Sequence, residues 1–403
     1  MPKKTITQID VAGKRVLIRV DFNVPIENGQ ITDDRRIRMA IPTIKSVIDR
    51  GGKAILMSHL GRPEGVGYEA SESLKPCADR LAQLLGKPVG FPSNDPTDAA
   101  AAAAVSGMKN GEVVLLDNLR FHKGEKKGDA AFAAKLAALG DAYVNDAFGT
   151  CHREDASMYA VPMAMAGKPR VVGLLVEKEL KYLSAVLANP ANPYIVVMGG
   201  AKVSDKLPMI ETVLKKADQV LIGGAMAYTF LAALGKKVGA SRVETDMLPE
   251  ARKIIESAPK LKCELVLPKD HVCGTVFQES GGDIETFTTD QGIKDGFMGL
   301  DIGPKTQVDF GVRLNKAKTV VWNGPMCVFE WRTFAVGTKT IANAIVDATK
   351  AGATTIVGGG DSAAAAEQFG LADQFSHVST GGGASLEMLA GKPFKTVELL
   401  DNA

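Results

Sequence analysis

The chain has 403 residues, with 48 Lys and Arg against 46 Asp and Glu and a formal net charge of +2, so it has no global field suited to nucleic acid and any anion site must be local. This length exceeds one ordinary core and predicts two domains, each able to bury a core of its own. The five cysteines (Cys77, Cys151, Cys263, Cys273 and Cys327) are odd in number and scattered without a CxxC pair, which argues against a disulfide framework or zinc site and for a reducing cytosol. The N-terminal MPKKTITQID lacks the apolar stretch of a signal peptide, and no run of about 18 apolar residues occurs, so a cytoplasmic location with no membrane segment is expected.

Along the chain, short apolar runs rich in β-branched residues alternate with helical patterns, which predicts βαβ units, parallel sheets and an α/β fold class. The first predicted strand, Arg15 to Val20, runs into VDFNVP (20–25), and the second, Ala54 to Ser58, into SHLGRP (58–63). The alanine run from Ala99 to Ala104 reads as a surface helix, because alanine is the best helix former. Strands over Val113 to Leu116 and Ala142 to Asn145 precede DNLRFHKGEKK (117–127) and NDAFGTCHRE (145–154). In VGLLVEKELKYLSAVLANP, Leu174, Leu175, Leu180, Leu183 and Leu187 recur at helical spacing until Asn189-Pro190 stops them. This is a connecting helix between domains, or an ordinary helix within one long domain. Further strands are predicted over Tyr194 to Met198, Gln219 to Ile222, Glu264 to Leu267, Thr319 to Trp322 and Thr354 to Val357. Their followers include GGAKVSDK (199–206), GGAM (223–226), NGPMCVFE (323–330) and GGGDS (358–362).

Ligands of open α/β sheets gather outside the carboxyl ends of the strands, and there the two halves differ. The first half offers Arg36, Arg62, Arg120 and Arg153 with His59, a set that fits a small, highly charged anion because guanidinium forks bind carboxylate and phosphate bidentately. Singly, each arginine is as well read as a solvated surface residue. Asp21 and Asn23 would accept hydrogen bonds from substrate hydroxyls, although an Asx turn explains them nearly as well. The Lys123 to Lys127 run reads as a solvated loop.

The second half is dominated by glycine, which lets backbone approach a ligand and lets a helix aim its N–H groups at phosphate. Asp361, just past Gly359 and Gly360, suits Mg²⁺, which takes one or two carboxylates and otherwise phosphates and water; a turn-stabilising role is the alternative. Lys202 and Lys206, four apart, share a face if a helix starts at the preceding glycines, and both would then reach phosphoryl oxygens. Thr380 or Ser385 would cap a helix through Leu386 to Leu389, after the second triplet of Gly381, Gly382 and Gly383. GGGDSA also satisfies a G-x-G-x-x-A dinucleotide pattern, but no strand ends in Asp or Glu about 20 residues later to hold a ribose. No nucleophile constellation stands out, and phosphoryl transfer to an already ionised acceptor requires none.

Taken in order, VDFNVP, SHLGRP, NLRF, NDAFGT-x-HR, GGAKVSDK, DIGPKT, WNGP-x-x-VFE, GGGDS and HVSTGGGASLE resemble the phosphoglycerate kinase family, from residue 20 to residue 387. The resemblance implies two Rossmann-like parallel-sheet domains joined by a long helix and hinge: 1–172 binding phosphoglycerate, 173–189 the connecting helix, 190–379 binding nucleotide, and 380–403 a tail returning to the first domain. It implies reversible transfer of the acyl phosphate of 1,3-bisphosphoglycerate to Mg-ADP, giving ATP and 3-phosphoglycerate in glycolysis, by in-line transfer after domain closure, in a monomer.

The family's phosphoglycerate site then maps onto Asp21, Asn23, Arg36, His59, Arg62, Arg120 and Arg153. Its nucleotide site maps onto Lys202, Lys206, Asn323, Glu330, Gly359, Gly360, Asp361 and Ser362, with Gly381, Gly382 and Gly383 at the hinge and closed site. Arg36 and Lys206, assisted by Lys202, would act on the transferring phosphoryl, and Asp361 would hold Mg²⁺. Four positions depart from the family pattern: Cys327 where glycine is common, Asp117 where glutamate is usual, and Glu154 and Asp155 where alanine and a histidine or polar residue are common. Two other readings are a nicotinamide oxidoreductase and a catalytically silent relative of the same fold. The silent relative is expected to lack one of Arg36, Lys202, Lys206 or Asp361, and all four are present.

Overall fold

The computed structural model describes residues 2–403, save the side chains of Ala185 and Leu187, so Leu187 of the expected apolar stripe lies outside the described residues. The chain forms two compact units, Met1–Lys181 with Pro393–Ala403, and Tyr182–Lys392.

Each unit is built on a six-stranded parallel sheet. In the first, neighbouring strands are Val89–Gly90, Val113–Leu115, Lys53–Met57, Arg15–Val20, Ala142–Asp146 and Arg170–Val172. In the second they are Glu264–Val266, Gln219–Ile222, Tyr194–Met198, Thr319–Asn323, Thr354–Val357 and His377–Val378. The central strands are buried on both faces, as parallel sheets flanked by helices must be, which is why RVLIRV and YIVVM read as near-continuous apolar runs. Around the first sheet, Val16, Ile18, Leu56 and Val144 pack against helix Arg35–Ile48, whose Ile37, Ala40, Ile44 and Val47 fall on one face by helical spacing. Trp322, Phe310 and Ile341 lie in the corresponding core of the second unit.

Numbered in chain order within each sheet, the strands run 3-4-2-1-5-6 in the first and 3-2-1-4-5-6 in the second. In both, the order reverses beside the first strand. The reversal lies between Arg15–Val20 and Ala142–Asp146 in one unit and between Tyr194–Met198 and Thr319–Asn323 in the other. A crevice opens outside the carboxyl ends of the strands at such a switch point, so the fold itself puts VDFNVP beside NDAFGT, and GGAK beside NGPM.

An antiparallel three-stranded sheet, Asp270–Gly274, Ile284–Thr288 and Met298–Ile302, was not legible in the sequence. Its middle segment is polar and Gly-rich, and Ile284–Thr288 exposes three of its five residues, leaving no alternation to read.

The helix Leu174–Ala188 contains the division between the units, which falls after Lys181. Its first turn is held by Asp146, whose Oδ1 accepts from the Leu175 N–H at 3.0 Å, and by Thr43 Oγ1, which accepts from the Leu174 N–H at 2.8 Å. Gly173 has no room for a side chain there, since a Cβ would lie 2.1 Å from Asp146 Oδ1. Near the C-terminus, helix Gly383–Leu389 packs on Leu207–Val213 and Thr212 Oγ1 donates to the Ala390 carbonyl at 3.0 Å, so this stretch belongs with the second unit; the chain rejoins the first at Pro393.

Candidate active site

In the first unit, helix Arg35–Ile48 follows the first strand after the segment 21–34, which holds the hairpin Ile26–Glu27 with Gln30–Ile31, and it carries Arg36 back to the strand's end. Arg36 Nη1 donates to the Asn23 carbonyl at 2.9 Å and lies 3.3 Å from the Asp21 carboxylate. The Asn23 side chain accepts from the Gly61 N–H at 2.8 Å, and the Gly61 carbonyl accepts from Arg120 Nη1 at 2.8 Å. Thus Asp21, Asn23, Arg36 and Arg120 are joined through the backbone of one glycine. That glycine sits at φ +56°, a conformation an L side chain would strain, and a Cβ there would also have to push aside the Glu72 carboxylate.

Arg120 is 7% exposed, and its Nε has no hydrogen-bond partner among the described residues, the Asp155 carboxylate standing 4.0 Å from Nη2. A buried donor left unpaired is costly. Burial, and then Arg153, pulls its pKa down. Burial also holds His59 far below the usual histidine range, with Arg19, Arg120, Arg153 and Arg36 adding to the effect. His59 is therefore neutral, and the 3.9 Å approach of Asp21 Oδ1 to its Nδ1 is not an ion pair. Arg153 is exposed, its Nε donating to His152 Nε2 at 3.2 Å; Arg62 is exposed and makes no ion pair among the described residues.

The expected solvated loop at 123–127 is instead a helix, Lys123–Lys127, because Glu125 turns fully inward and its carboxylate accepts from the Ser157 N–H at 2.9 Å and the Ser157 hydroxyl at 2.5 Å. The departures at 117 and 154 also find structural partners. Asp117 accepts from Ser73 Oγ (3.0 Å) and from the Leu74 and Asn118 N–H groups (2.8 Å each), and Asn118 Oδ1 in turn accepts from the Arg120 N–H at 3.0 Å. Glu154 pairs with Lys395 of the tail at 2.8 Å.

In the second unit the switch-point loops are packed backbone to backbone. A Cβ at Gly199 would lie 1.9 Å from the Pro325 carbonyl oxygen, and one at Gly324 (φ +93°) 2.3 Å from that of Gly199. Against these loops Lys206 extends its ammonium group to the Asn323 carbonyl (3.1 Å) and to Asn323 Oδ1, while Asn323 Nδ2 donates to the Gly358 carbonyl at 2.7 Å. Burial pulls the Lys206 pKa down to about 8, opposed by Asp361 and Asp205.

The helix after these glycines begins at Leu207, not at the glycines, so Lys202 and Lys206 do not share a helical face. The cause is Glu244, whose carboxylate captures the Val203 N–H and the Ser204 hydroxyl and holds the segment as a loop. Lys202 stays in that loop, half-buried, with Glu244 the carboxylate it influences.

The first triplet opens helix Gly360–Gln368: Gly359 is its N-cap at φ +97°, Gly360 and Asp361 are exposed in its first turn, and no side chain caps it. Ser362 is buried and its Oγ accepts from the Gly324 N–H, so it braces the neighbouring loop. The second triplet leads into helix Gly383–Leu389 with Gly382 as N-cap, so neither Thr380 nor Ser385 occupies that position; Ser385 Oγ lies 2.6 Å from Ser379 Oγ, and Ser379 Oγ accepts from the Gly381 N–H at 3.1 Å. The helix after the second triplet packs on the first: a Cβ on Gly358 would meet Leu389 Cδ1 at 3.5 Å and Ser385 Cβ at 3.9 Å.

A cavity of about 500 Å³ is lined by Gly200, Gly224, Tyr228, Phe277, Leu300 and Met326 among others, with Arg242, Asp301, Glu330 and Asp361 its charged residues. An apolar hollow of this size with a few polar groups suits a nucleoside, and the uncapped helix suits its phosphates. Among the described residues no three ligating side chains cluster, and Asp361 offers a single exposed carboxylate. That donor set fits a Mg²⁺ ion held chiefly by phosphates and water.

Sequence reasoning missed Arg19 and Asp301. Arg19 is fully buried, donating from Nη2 to His59 Nδ1 at 3.0 Å; Asp301, which lines the cavity beside Cys327, is pushed up to about 7 by burial. The available signal was a charged residue flanked by apolar neighbours within a strand, Arg19 in RVLIRV and Asp301 in GLDIG.

The phosphoglycerate kinase family model matches residues 6–392. The chain is 55% identical over 404 residues to the phosphoglycerate kinase of Rhodopirellula baltica, covering all of both chains. It is 52% identical over 402 residues to that of Thermosipho africanus, covering all of this chain and 98% of the relative. The solved phosphoglycerate kinase of Coxiella burnetii superposes with a TM-score of 0.89 at 37% identity, over 99% of this chain and 98% of that one. With whole-chain matches in sequence and in structure, this chain belongs to the phosphoglycerate kinase family.

Proposed function

We propose that the two half-sites divide the family's reaction between them. The arginine-lined crevice of the first unit takes the phosphoglycerate, and the glycine-lined cavity of the second takes ADP or ATP with Mg²⁺. The observation that carries this assignment is the contrast in donors: guanidinium groups of Arg36 and Arg120 gathered with Asp21 and Asn23 around the Gly61 backbone in one unit, and an uncapped helix beside an apolar hollow in the other. Mg²⁺ bound with the nucleotide would neutralise phosphate charge, with Asp361 as its protein ligand.

In the direction of ATP formation, a terminal oxygen of ADP attacks the acyl phosphorus, and the bond to the 3-phosphoglycerate carboxylate breaks. Both the attacking and leaving oxygens are ionised, so no general base is needed and the work is alignment and charge neutralisation. Arg36 and Lys206 are the cations assigned to the transferring group, with Lys202 assisting. Transfer follows closure of the two units, which excludes water. Scattering under saturating amounts of both substrates should show a smaller radius of gyration, and an unchanged radius would count against closure. Five unpaired cysteines support a reducing, cytoplasmic setting. Resemblance supports a monomer, which sedimentation would check.

The primary test is ADP formation from ATP, Mg²⁺ and 3-phosphoglycerate, with the acyl phosphate drawn off by glyceraldehyde-3-phosphate dehydrogenase and NADH. Turnover that needs both substrates supports the assignment. Nucleotide binding without turnover would instead favour a silent relative of the same fold.

A further inference from the structure

The buried environment of His59 assigns a role to Arg19, a fully buried residue behind the crevice. We propose that Arg19 is a positioning residue that fixes His59 as the neutral tautomer with its proton on Nε2, so that the ring presents an N–H donor to the anionic substrate. The proposal rests on the reading that the arginine-lined crevice binds phosphoglycerate.

The geometry leaves little freedom. Arg19 is fully buried; its Nε donates to Ser157 Oγ at 2.8 Å, its Nη1 to the Val20 carbonyl, and its Nη2 lies 3.0 Å from His59 Nδ1. A guanidinium can only donate, so Nδ1 must be the acceptor, and a neutral ring then carries its single proton on Nε2. Behind Arg19 the chain is equally directed. The Ser157 hydroxyl hydrogen goes to Glu125 Oε1 at 2.5 Å and its backbone N–H to Glu125 Oε2 at 2.9 Å, leaving the hydroxyl lone pair for Arg19. Tyr143 Oη holds the Ser157 carbonyl at 2.9 Å. The fully buried Glu125 stands behind Ser157; burial pushes its pKa up, and Arg19 opposes that shift.

The charged groups facing His59 are Arg19 from the strand, Asp21 at its end, Arg36 from the helix, and Arg120 and Arg153 from the two later loops. Burial first, and then four cations against one carboxylate, keep a second proton off the ring. The tautomer therefore decides its chemistry. With the proton on Nδ1, the Nε2 lone pair would face an anion and repel it. With the proton on Nε2, the ring gives the hydrogen bond.

The test is ¹⁵N NMR of histidine-labelled full-length protein without substrate. Wild-type His59 should show a proton on Nε2 and none on Nδ1, and should not titrate between about pH 5 and 8. A proton on Nδ1, or an ordinary titration in that range, overturns the proposal without any variant. Arg19→Met should produce a mixture of tautomers and raise the KM for 3-phosphoglycerate about tenfold or more with the nucleotide KM unchanged. In a His59→Ala background the same substitution should add almost nothing to that KM, because Arg19 acts through the ring. A full second loss there would mean that Arg19 serves only the fold. Should Arg19→Met fail to fold, Ser157→Ala, which removes one of the three anchors, should loosen the tautomer in the same direction. An unchanged His59 spectrum in that variant counts against the chain of anchors. Absence of wild-type turnover would sink the kinase reading, while the spectrum alone would still decide the tautomer.

Discussion

Lys206 occupies a position where burial, opposed by Asp361 and Asp205, leaves its pKa at about 8 against an ordinary 10.5. A cation assigned to phosphoryl oxygens must be protonated to act, so turnover should fall as pH rises through about 8. Lys206→Arg, always charged, should move that limb to higher pH while lowering the plateau, because a planar fork does not reproduce the ammonium contact with Asn323. A pH–rate profile of both proteins checks this, and coincident alkaline limbs would show that Lys206 is not the group responsible. The glycines allow a sharper separation of fold from function. Gly199→Ala drives a Cβ into the Pro325 carbonyl and should cost about 1–3 kcal/mol or more in an unfolding curve. At Gly360 nothing lies within 4 Å of a built Cβ, so Gly360→Ala should leave stability unchanged or raise it by up to about 1 kcal/mol. If nucleotide phosphate comes to this backbone, the same substitution should weaken ADP binding about tenfold; unchanged binding would mean the open space is not a phosphate site. Residue types at strand ends were legible because the fold fixes where strand ends point. Arg19 was not, because its partners Ser157 and His59 lie far away in sequence, and a charge inside the predicted strand RVLIRV does not by itself name them.

Elements were legible where they are long and central. The strands Arg15–Val20, Tyr194–Met198, Gln219–Ile222 and Thr354–Val357 run as their apolar patterns predict, whereas Val89–Gly90, Arg170–Val172 and His377–Val378 are edge or near-edge strands of two or three residues that carry no period of their own. The start of the helix at Leu207 was misplaced because Glu244, forty residues on, competes for the backbone N–H groups. The helix Leu174–Ala188 invites a test at its first turn. Asp146 is fully buried, and burial pushes its pKa up to about 7, opposed by hydrogen bonds from Thr43, Leu175 and Val176. Its folded-state pKa lies above the ordinary 3.8, so the native chain binds the extra proton. The stability this proton contributes is therefore full below about pH 4 and lost as pH rises through about 7. Asp146→Asn, which cannot ionise, should flatten the fall in melting temperature across that window while keeping an acceptor for the Leu175 N–H. A slope identical to that of the unaltered protein would assign the pH dependence to other carboxyls.

At the scale of the whole molecule, the chain's last eleven residues, 393–403, belong to the unit in which the chain began. The Lys4 N–H donates to the Asp401 carbonyl at 2.9 Å, the Asp401 N–H to that of Arg170 at 2.8 Å, and the Thr396 hydroxyl to that of Cys151. Phe394, Val397 and Leu400 are buried, with Phe394 beside Phe148 at 6.2 Å between ring centres. Three such side chains contribute roughly 5 kcal/mol by burial alone, comparable to the whole net stability of a domain. Each unit has its own sheet and its own core, so the loss should not be shared. Deleting residues 393–403 should therefore lower or abolish one calorimetric transition, that of the first unit, and with it turnover of 3-phosphoglycerate. The second transition and the affinity for ADP should hold. If both transitions instead move together by the same amount, the two units melt as one cooperative body, and the tail stabilises the molecule rather than the half to which it is tied.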